Sequence, residues 1–317
     1  MRRAVVARAP TRLDFGGGWT DVAPYSDERG AAVCNLAIAR YATARVARNH
    51  PAAVPAPGAD DALVRAAVRR STIPHATASV ISDFPLGAGL GGSSAAGVAL
   101  AGALAALDGA PLDPATIAER SRRTEVEELG IAGGFQDHYA AAFGGALLLT
   151  GGAAVHVERI AIDDALADAL SRRIVLVYTG QSRISARTIA AVSDGCRAGE
   201  ATVLRALDHC KRLAFLMADA LRRGDVDALG ELVGEHWFHQ RALHPSITTE
   251  CIDAIQAAGA RAGALGMKAL GASGGGCVMA VAREGREHSL AVALAPLAER
   301  LAFEVDRTGF HLLDRES

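Results

Sequence analysis

Residues Gly87 to Ser94 (GAGLGGSS) place four glycines and two serines directly before an apolar run. Glycine lets successive backbone N–H groups point together at an anion, because no Cβ blocks the approach. A helix starting just after such a loop adds free N–H groups and a favourable dipole. A serine hydroxyl at that point caps the helix, binds phosphate or ligates magnesium. The stretch alone does not choose between phosphate binding and an ordinary loop with an N-cap. No lysine follows the glycines, so it is not the GxxxxGK[ST] loop. It is also a poor dinucleotide fingerprint, since it does not open the first strand–helix unit and no clear acidic residue ends a following strand.

Carboxylates follow. Glu125, Glu127 and Glu128 stand near the end of a helical segment, where most glutamates are simply solvated. Asp137 lies in GGFQDHYAAAFGG, among small and apolar residues, with Gln136 and His138 beside it. An acid in such surroundings needs partners. Magnesium or a substrate hydroxyl would supply them, and so would the N-terminus of a helix it caps. Upstream, DFGGGWTD sets Asp14 and Asp21 around three glycines. A carboxylate projecting from a tight turn accepts hydrogen bonds from sugar hydroxyls, or it closes the turn with Asx-type bonds. His236 and His239 in HWFHQR have helical spacing, but no third metal ligand stands nearby in the sequence. A polar helix face with Trp237 in the packing is the simpler reading.

The elements that must position these groups divide into two halves. AVVARAP reads as an opening strand that stops at Pro10, followed by the glycine turn and two β-branched runs, AAVCNLAI and YATARVAR. Residues 49–61 are rich in proline and alanine and read as a mobile surface loop. A short helix (ALVRAAVRR) and a strand (HATASVIS) lead to the glycine–serine loop. Gly97 to Leu107 is apolar nearly all round, the mark of a buried helix. A second helix has an Asp113–Pro114 start and stops at Gly130. Beyond about Ile160, strand RIVLVYTG leads to long amphipathic helices. The end reads as strand, GASGGG turn, strand CVMAVA, helix and last strand LAFEVD. The pattern is α+β, with expected domains at 1–160 and 161–317.

Composition sets outer bounds. With 317 residues, half of them hydrophobic, the chain can bury a large core and divide into two domains. A formal net charge of −2 points to no nucleic-acid partner and no acidic membrane surface. The only lysines are Lys211 and Lys268. Five scattered cysteines without metal-ligand spacing fit a reduced, cytoplasmic compartment. No segment reads as a signal peptide or membrane span.

Taken in order, these motifs resemble the GHMP kinase superfamily of small-molecule kinases. The glycine–aspartate turn comes first, then PLGAGLGGSSAA, then EVEELGIAGGFQD, and GASGGGC closes the series. Within the superfamily the chain is most similar to the D-glycero-D-manno-heptose 7-phosphate kinases and the fucokinase-like sugar kinases. Galactokinases usually carry Glu-His where Gly18 and Trp19 stand, so ordinary galactokinase activity is not expected. Ser273 replaces a glycine common in the last motif. The resemblance implies a GHMP kinase fold: an N-terminal half like domain 2 of ribosomal protein S5, a ferredoxin-like C-terminal half, and ATP between them. It implies that Gly87, Gly89, Leu90, Gly91, Gly92, Ser93 and Ser94 hold the ATP phosphates. Ser94 and Glu125 would ligate Mg2+, and Asp137 would be the catalytic base. Asp21, with Gly17, Gly18 and Thr20, would bind the sugar. Gly274 and Gly275, in the Gly271–Gly276 turn, would close over it. For a substrate phosphate, Arg183 is the first candidate, with Arg12 and Lys268 behind it. The implied reaction is phosphorylation of the anomeric hydroxyl of a heptose 7-phosphate. A kinase of a free sugar such as fucose, or a nucleotide- and sugar-binding sensor without catalysis, are the alternatives. A small-molecule substrate is the expected partner, and the chain acts as a monomer or homodimer.

Overall fold

The structure is a computed structural model that describes residues 4–48, 61–152, 154–181 and 186–316. Its strands are β1 (Ala4–Gly16), β2 (Ala31–Arg48), β3 (Ala76–Ser82), β4 (Ala146–Gly151), β5 (Val155–Ile160), β6 (Ile174–Tyr178), β7 (Ala264–Ala269), β8 (Cys277–Ala282), β9 (Glu299–Arg300) and β10 (His311–Glu316). Its helices are α1 (Tyr25–Arg29), α2 (Asp61–Arg69), α3 (Gly92–Asp108), α4 (Pro114–Arg123), α5 (Gln136–Phe143), α6 (Asp164–Arg173), α7 (Ala186–Arg197), α8 (Ala201–Arg222), α9 (Val226–Arg241), α10 (Glu250–Ala262) and α11 (Glu287–Leu294). The α+β pattern holds. One antiparallel sheet runs β10-β1-β2-β4-β5, with β3 also on β2; the other runs β7-β8-β6-β9.

The long strands differ from the sequence reading. β1 does not stop at Pro10 but passes through it, because the ladder slips between Pro10 and Thr11. Proline has no N–H to donate, and such an irregularity is where a strand tolerates that. The runs AAVCNLAI and YATARVAR are one strand, β2, with Ala39 and Arg40 as the extra residues opposite the slip. The first part of β2 pairs with β4 and the second with β3. LAFEVD is not a strand. Val305 makes one isolated bridge to Ile38, and the Ala39 N–H donates to the Glu304 carbonyl. The closing strand is β10, and it pairs with β1. The six-stranded sheet therefore draws on both ends of the chain, and residues 311–316 of the expected 161–317 unit lie in it. Helix α6 is a further addition to the sequence reading, and the expected loop at 49–61 lies almost wholly outside the described residues.

Burial explains the packing. β1 is buried without a break from Ala9 to Gly16, so both faces are covered. α3 and α5 pack against it on one side, and α8 reaches it through Ala214 and Met217. α3 is apolar all round and mostly buried, as its composition implies. In the second sheet, alternation divides β6 and β8 between two clusters. Ile174, Leu176, Cys277, Met279 and Val281 join the core of the first sheet. Val175, Val177, Val278, Ala280 and Ala282 pack with Ile252, Ile255, Leu290 and Leu294 from α10 and α11. A strand with both faces buried reads as a continuous apolar run, which is why RIVLVYTG and CVMAVA were legible.

The C-terminal segment is held by more than one edge. Gly102 of α3 leaves room for the Phe310 ring, which a Cβ would strike. Tyr41 donates its hydroxyl to Asp306 Oδ2 at 2.8 Å. Ending the chain after Leu301 removes these contacts together with β10. The expected result is a melting temperature lower by about 10 °C or more in calorimetry; an unchanged melting temperature would show the segment to be dispensable.

Candidate active site

A cleft of about 660 Å³ lies where the glycine–serine loop, the first glycine turn, α5 and the β7–β8 turn converge. In the loop, Gly87, Gly89 and Gly91 have φ of 69, 74 and 73°. Three left-handed residues in alternation are accessible only to glycine without strain. Gly91 is the N-cap of α3 and has no side-chain cap, so Ser93 and Ser94 are not capping residues. Their hydroxyls go elsewhere: Ser93 donates to Glu125 Oε1 at 2.9 Å and Ser94 to Glu125 Oε2 at 3.4 Å. The first N–H groups of α3 have no intrahelical acceptor and open onto the cleft residues.

Glu125 lies in a π-helical turn, Thr124–Glu128, that replaces the end expected for α4. Single π turns often mark functional sites. His138 Nε2 is 2.9 Å from Glu125 Oε2, and the other ring nitrogen is 2.9 Å from Ser121 Oγ. Gly97 leaves the space that Ser121 fills. Burial pushes the Glu125 carboxyl up, but His138 and the two serines outweigh it and leave the net shift downward. An ionised carboxylate beside two hydroxyls is an all-oxygen donor set, the kind that suits magnesium. Among the described residues no group of three or more His, Cys, Asp or Glu is arranged to hold a metal. Magnesium held by one carboxylate, a hydroxyl, substrate phosphates and water needs no such group.

Asp137 does not cap α5, whose N-cap is Phe135 without a side-chain bond. Its Oδ1 accepts from Arg12 Nε at 2.6 Å. Its carboxylate also lies against Gly91, where a Cβ would come within 3.1 Å. Arg12 Nη1 donates to the Gly89 carbonyl at 2.7 Å, and the Arg12 N–H to the Leu90 carbonyl at 3.0 Å. Arg12 thus joins β1, the loop and α5. From the other side, the Cys277 N–H donates to the Ala88 carbonyl at 2.7 Å, and Gly271 abuts Gly89. Ser273 takes a φ of 60°, and its hydroxyl accepts from Gln240 Nε2 at 2.9 Å. That bond gives a side chain a reason to stand in a glycine turn.

Gly87, Gly89, Leu90, Gly91, Gly92, Ser93, Ser94, Glu125, Asp137, Arg12, Asp21 and Gly18 all line the cleft. Gly17, Thr20, Gly274 and Gly275 are not among its lining residues. Thr20 is fully buried and donates its hydroxyl to the Gly17 carbonyl at 2.7 Å. Gly17, at φ 88°, packs so closely that a Cβ would strike the Ala32 carbonyl. Gly274 donates its N–H to Ile247, and Gly275 abuts Gln181, so both brace the turn from behind. Lys268 is not a phosphate ligand. It is fully buried and bonds Asp14 Oδ2 at 2.8 Å. His236 is not on a polar face. It is fully buried, and its Nε2 accepts the Gly17 N–H at 2.9 Å. Burial holds its pKa well below the usual value, in keeping with a neutral acceptor. Arg183 lies outside the described residues. The sequence reading gave no role to Trp19, Phe84 or Gln136, which line the cleft, or to Ser121 and His138 behind Glu125.

Two matches to known families bear on this geometry. The GHMP kinases N terminal domain matches residues 61–145, and the GHMP kinases C terminal matches residues 217–296, together more than half of the chain. This chain belongs to the GHMP kinases. A D-glycero-alpha-D-manno-heptose 7-phosphate kinase of Campylobacter jejuni is 27% identical over 92% of this chain and 93% of its own. An L-fucokinase/L-fucose-1-P guanylyltransferase of Bacteroides fragilis is 26% identical over 88% of this chain but 35% of its own. The crystal structure of a D-glycero-D-manno-heptose 1-phosphate kinase from Bacteriodes thetaiotaomicron superposes with a TM-score of 0.81 at 25% identity, covering 99% of this chain and 100% of that one. The GHMP kinase described here is an ATP-dependent phosphotransferase with an alcohol as acceptor. Among the described residues no helix is long and apolar enough to cross a membrane.

Asp21 provides a test of the cleft's floor. Burial pushes its carboxyl up to about 7, against the hydrogen bond it accepts from the Gln136 N–H. Asp137 and Asp14 push in the same direction as burial. The folded chain therefore keeps a proton that the unfolded chain releases near 3.8. The stability from this group is full below that value and is lost as pH rises through about 7. Asp21→Asn keeps an acceptor for the Gln136 N–H and removes the titration. Its melting temperature relative to the parent is expected to rise from about pH 5 to about pH 8; a constant difference would sink the assignment.

Proposed function

We propose that this GHMP kinase is a magnesium-dependent sugar kinase that phosphorylates the anomeric hydroxyl of a heptose 7-phosphate, giving the 1,7-bisphosphate. The observation that carries the kinase part is Asp137. Its carboxylate lies against the phosphate loop at Gly91, is held by Arg12, and shares the cleft with Asp21. The heptose part is supported by the likeness to the Campylobacter kinase over nearly the full length of both chains.

In this reading the two ends of the cleft have different ligands. Val80, Phe84, Pro85, Leu86 and Ile131 give the cleft an apolar lining suited to a flat base. The loop and the start of α3 present N–H groups to the triphosphate. Ser93, Ser94 and Glu125 would hold magnesium, which when bound neutralises the phosphate oxygens. Asp137 accepts or orients the proton of the attacking hydroxyl, and Arg12 fixes the carboxylate in that position. Phosphoryl transfer depends on placement and charge neutralisation more than on covalent help. An anomeric hydroxyl is more acidic than an ordinary alcohol, so a modest base suffices. Asp137→Asn is therefore expected to lower kcat by about 100- to 10,000-fold while leaving ATP binding within a few fold; unchanged turnover would remove Asp137 from the mechanism.

One observation favours a second reading, a kinase of a free sugar. Among the described residues lining the cleft, Arg12 is the only arginine or lysine, and it is engaged by Asp137 and Gly89. A sugar phosphate would then rely on Arg183. ADP release across matched sugars and sugar 7-phosphates separates the two. The heptose-phosphate reading expects phosphorylated substrates to be preferred, and Arg183→Ala to raise KM for them selectively. Equal turnover of free and phosphorylated sugars would replace it with the second reading.

A further inference from the structure

Two buried polar atoms on α9, His236 Nδ1 and Gln240 Oε1, have no formed hydrogen bond among the described residues. Their side chains are 0 and 1% exposed. A buried polar group without a partner is costly, so each atom needs one. The two residues stand four apart in α9, the spacing that brings side chains together on one helix face. Their chemistry is complementary. His236 Nε2 accepts the Gly17 N–H at 2.9 Å, so the neutral ring carries its proton on Nδ1. Gln240 gives Nε2 to the Ala269 carbonyl at 3.2 Å and to Ser273 Oγ at 2.9 Å. A flipped amide would set its oxygen against the Ala269 carbonyl, so Oε1 is the atom left over as an acceptor. Burial pushes the His236 pKa down, and Lys268 of β7 and His239 of α9 act the same way; Asp14 of β1 and the Gln240 amide oppose them.

The ends of this set lie on two turns. At one end, Gly17 precedes Gly18, Trp19 and Asp21, which line the cleft. At the other, Ser273 donates its hydroxyl to the Gly271 carbonyl at 3.4 Å. Gly271 lines the cleft and abuts Gly89, and the Cys277 N–H ties the same turn to the Ala88 carbonyl. With the Nδ1 proton on Oε1, every donor points one way: Gly17 to His236, His236 to Gln240, Gln240 to Ser273, and Ser273 to Gly271. Hydrogen bonds aligned in this way polarise and strengthen one another. We propose that His236, Gln240 and Ser273 are positioning residues, a single buried hydrogen-bond chain that fixes the first glycine turn relative to the turn behind the glycine–serine loop. Phosphoryl transfer needs the acceptor and the phosphate in line, so a small shift between these walls of the cleft costs rate more than binding. The inference rests on the kinase activity and not on which alcohol is the acceptor.

The first test needs no acceptor. NMR of the intact enzyme with 15N-labelled histidine reads the protonation of each ring nitrogen. His236 is expected to show a protonated Nδ1 and an unprotonated Nε2 from about pH 6 to about pH 8. Gln240→Leu is expected to speed exchange of the Nδ1 proton with water by about tenfold or more. A proton on Nε2, or unchanged exchange, would overturn the chain.

The second test is steady-state kinetics with the acceptor that the wild-type enzyme turns over best. Gln240→Leu breaks the chain at two bonds and is expected to lower kcat by about 10- to 100-fold, with KM for ATP within about threefold. Ser273→Gly breaks one bond and suits the positive φ, so it tests the chain even where Gln240→Leu does not fold. It is expected to lower kcat by about three- to tenfold, with a melting temperature within about 3 °C of the parent. In the double variant the second substitution should add less than about twofold, because a chain already broken is not broken again. Losses that multiply, or a lower melting temperature with kcat unchanged, would make these residues structural and overturn the proposal. If no alcohol is turned over, the kinase reading fails on its own, and the histidine spectrum still decides the chain.

Discussion

The Arg12 guanidinium is the constraint on which the site depends. It is almost wholly buried, yet it links three segments far apart in sequence. Through Nε it holds Asp137 at the start of α5, and through Nη1 it holds the carbonyl of Gly89. Its own backbone N–H is fixed to Leu90. The glycines of the loop can adopt many conformations, and that freedom opposes a single cradle. Arg12 from β1, together with Gly271 and Cys277 from the β7–β8 turn, selects one of them. A planar, multiply donating cation suits this task better than the point charge of lysine.

Beneath the site, a second set of buried polar groups joins the two halves. Lys268 reaches from β7 to Asp14 on β1, and His236 of α9 accepts the N–H of Gly17. Burial pushes the Asp14 carboxyl up, but Lys268, by charge and by its hydrogen bond, together with Arg12 more than offsets it and keeps the net shift downward. Breaking such a pair on one side strands a buried charge, at a cost of about 3–5 kcal/mol. The first glycine turn is therefore not a free loop. It is anchored from the C-terminal half, and so is the glycine–serine loop through Ala88 and Gly89. The cleft cannot be completed by residues 1–160 alone.

Legibility in the sequence followed from how narrowly chemistry restricts residue choice. The loop at Gly87–Ser94, Glu125 and Asp137 were readable because each position admits few residue types, and their order carried the family resemblance. Gly17, Thr20, Gly274 and Gly275 belong to the same motifs but brace them, and motif membership does not separate lining from bracing. Lys268 reads as a candidate for an anion because a lone lysine in a strand gives no sign that its partner, Asp14, is 254 positions away. Pro10 hid the continuity of β1, since a strand can pass proline only where its ladder slips. LAFEVD alternates like a strand but finds just one bridge, at Val305, while the less conspicuous HLLDRE finds the open edge of β1. Edge pairing is a property of the assembled sheet, and local pattern does not contain it.

The division of labour within EVEELGIAGGFQDH follows from the same logic. The π turn sets Glu125 against the serines of α3 and against His138, the third residue of α5. Asp137, one residue earlier, points to the opposite partner, Arg12. Successive residues of a helix project about 100° apart, so neighbouring side chains serve different sites on two sides of α5. His138 therefore supports the carboxylate suited to the metal, and Asp137 faces Arg12 and Gly91. Gln136, one step further back, gives its N–H to Asp21 and brings its side-chain amide to Gly18 beside Asp14. Three consecutive residues thus meet three different sets of partners, and α5 need be only eight residues long to do so.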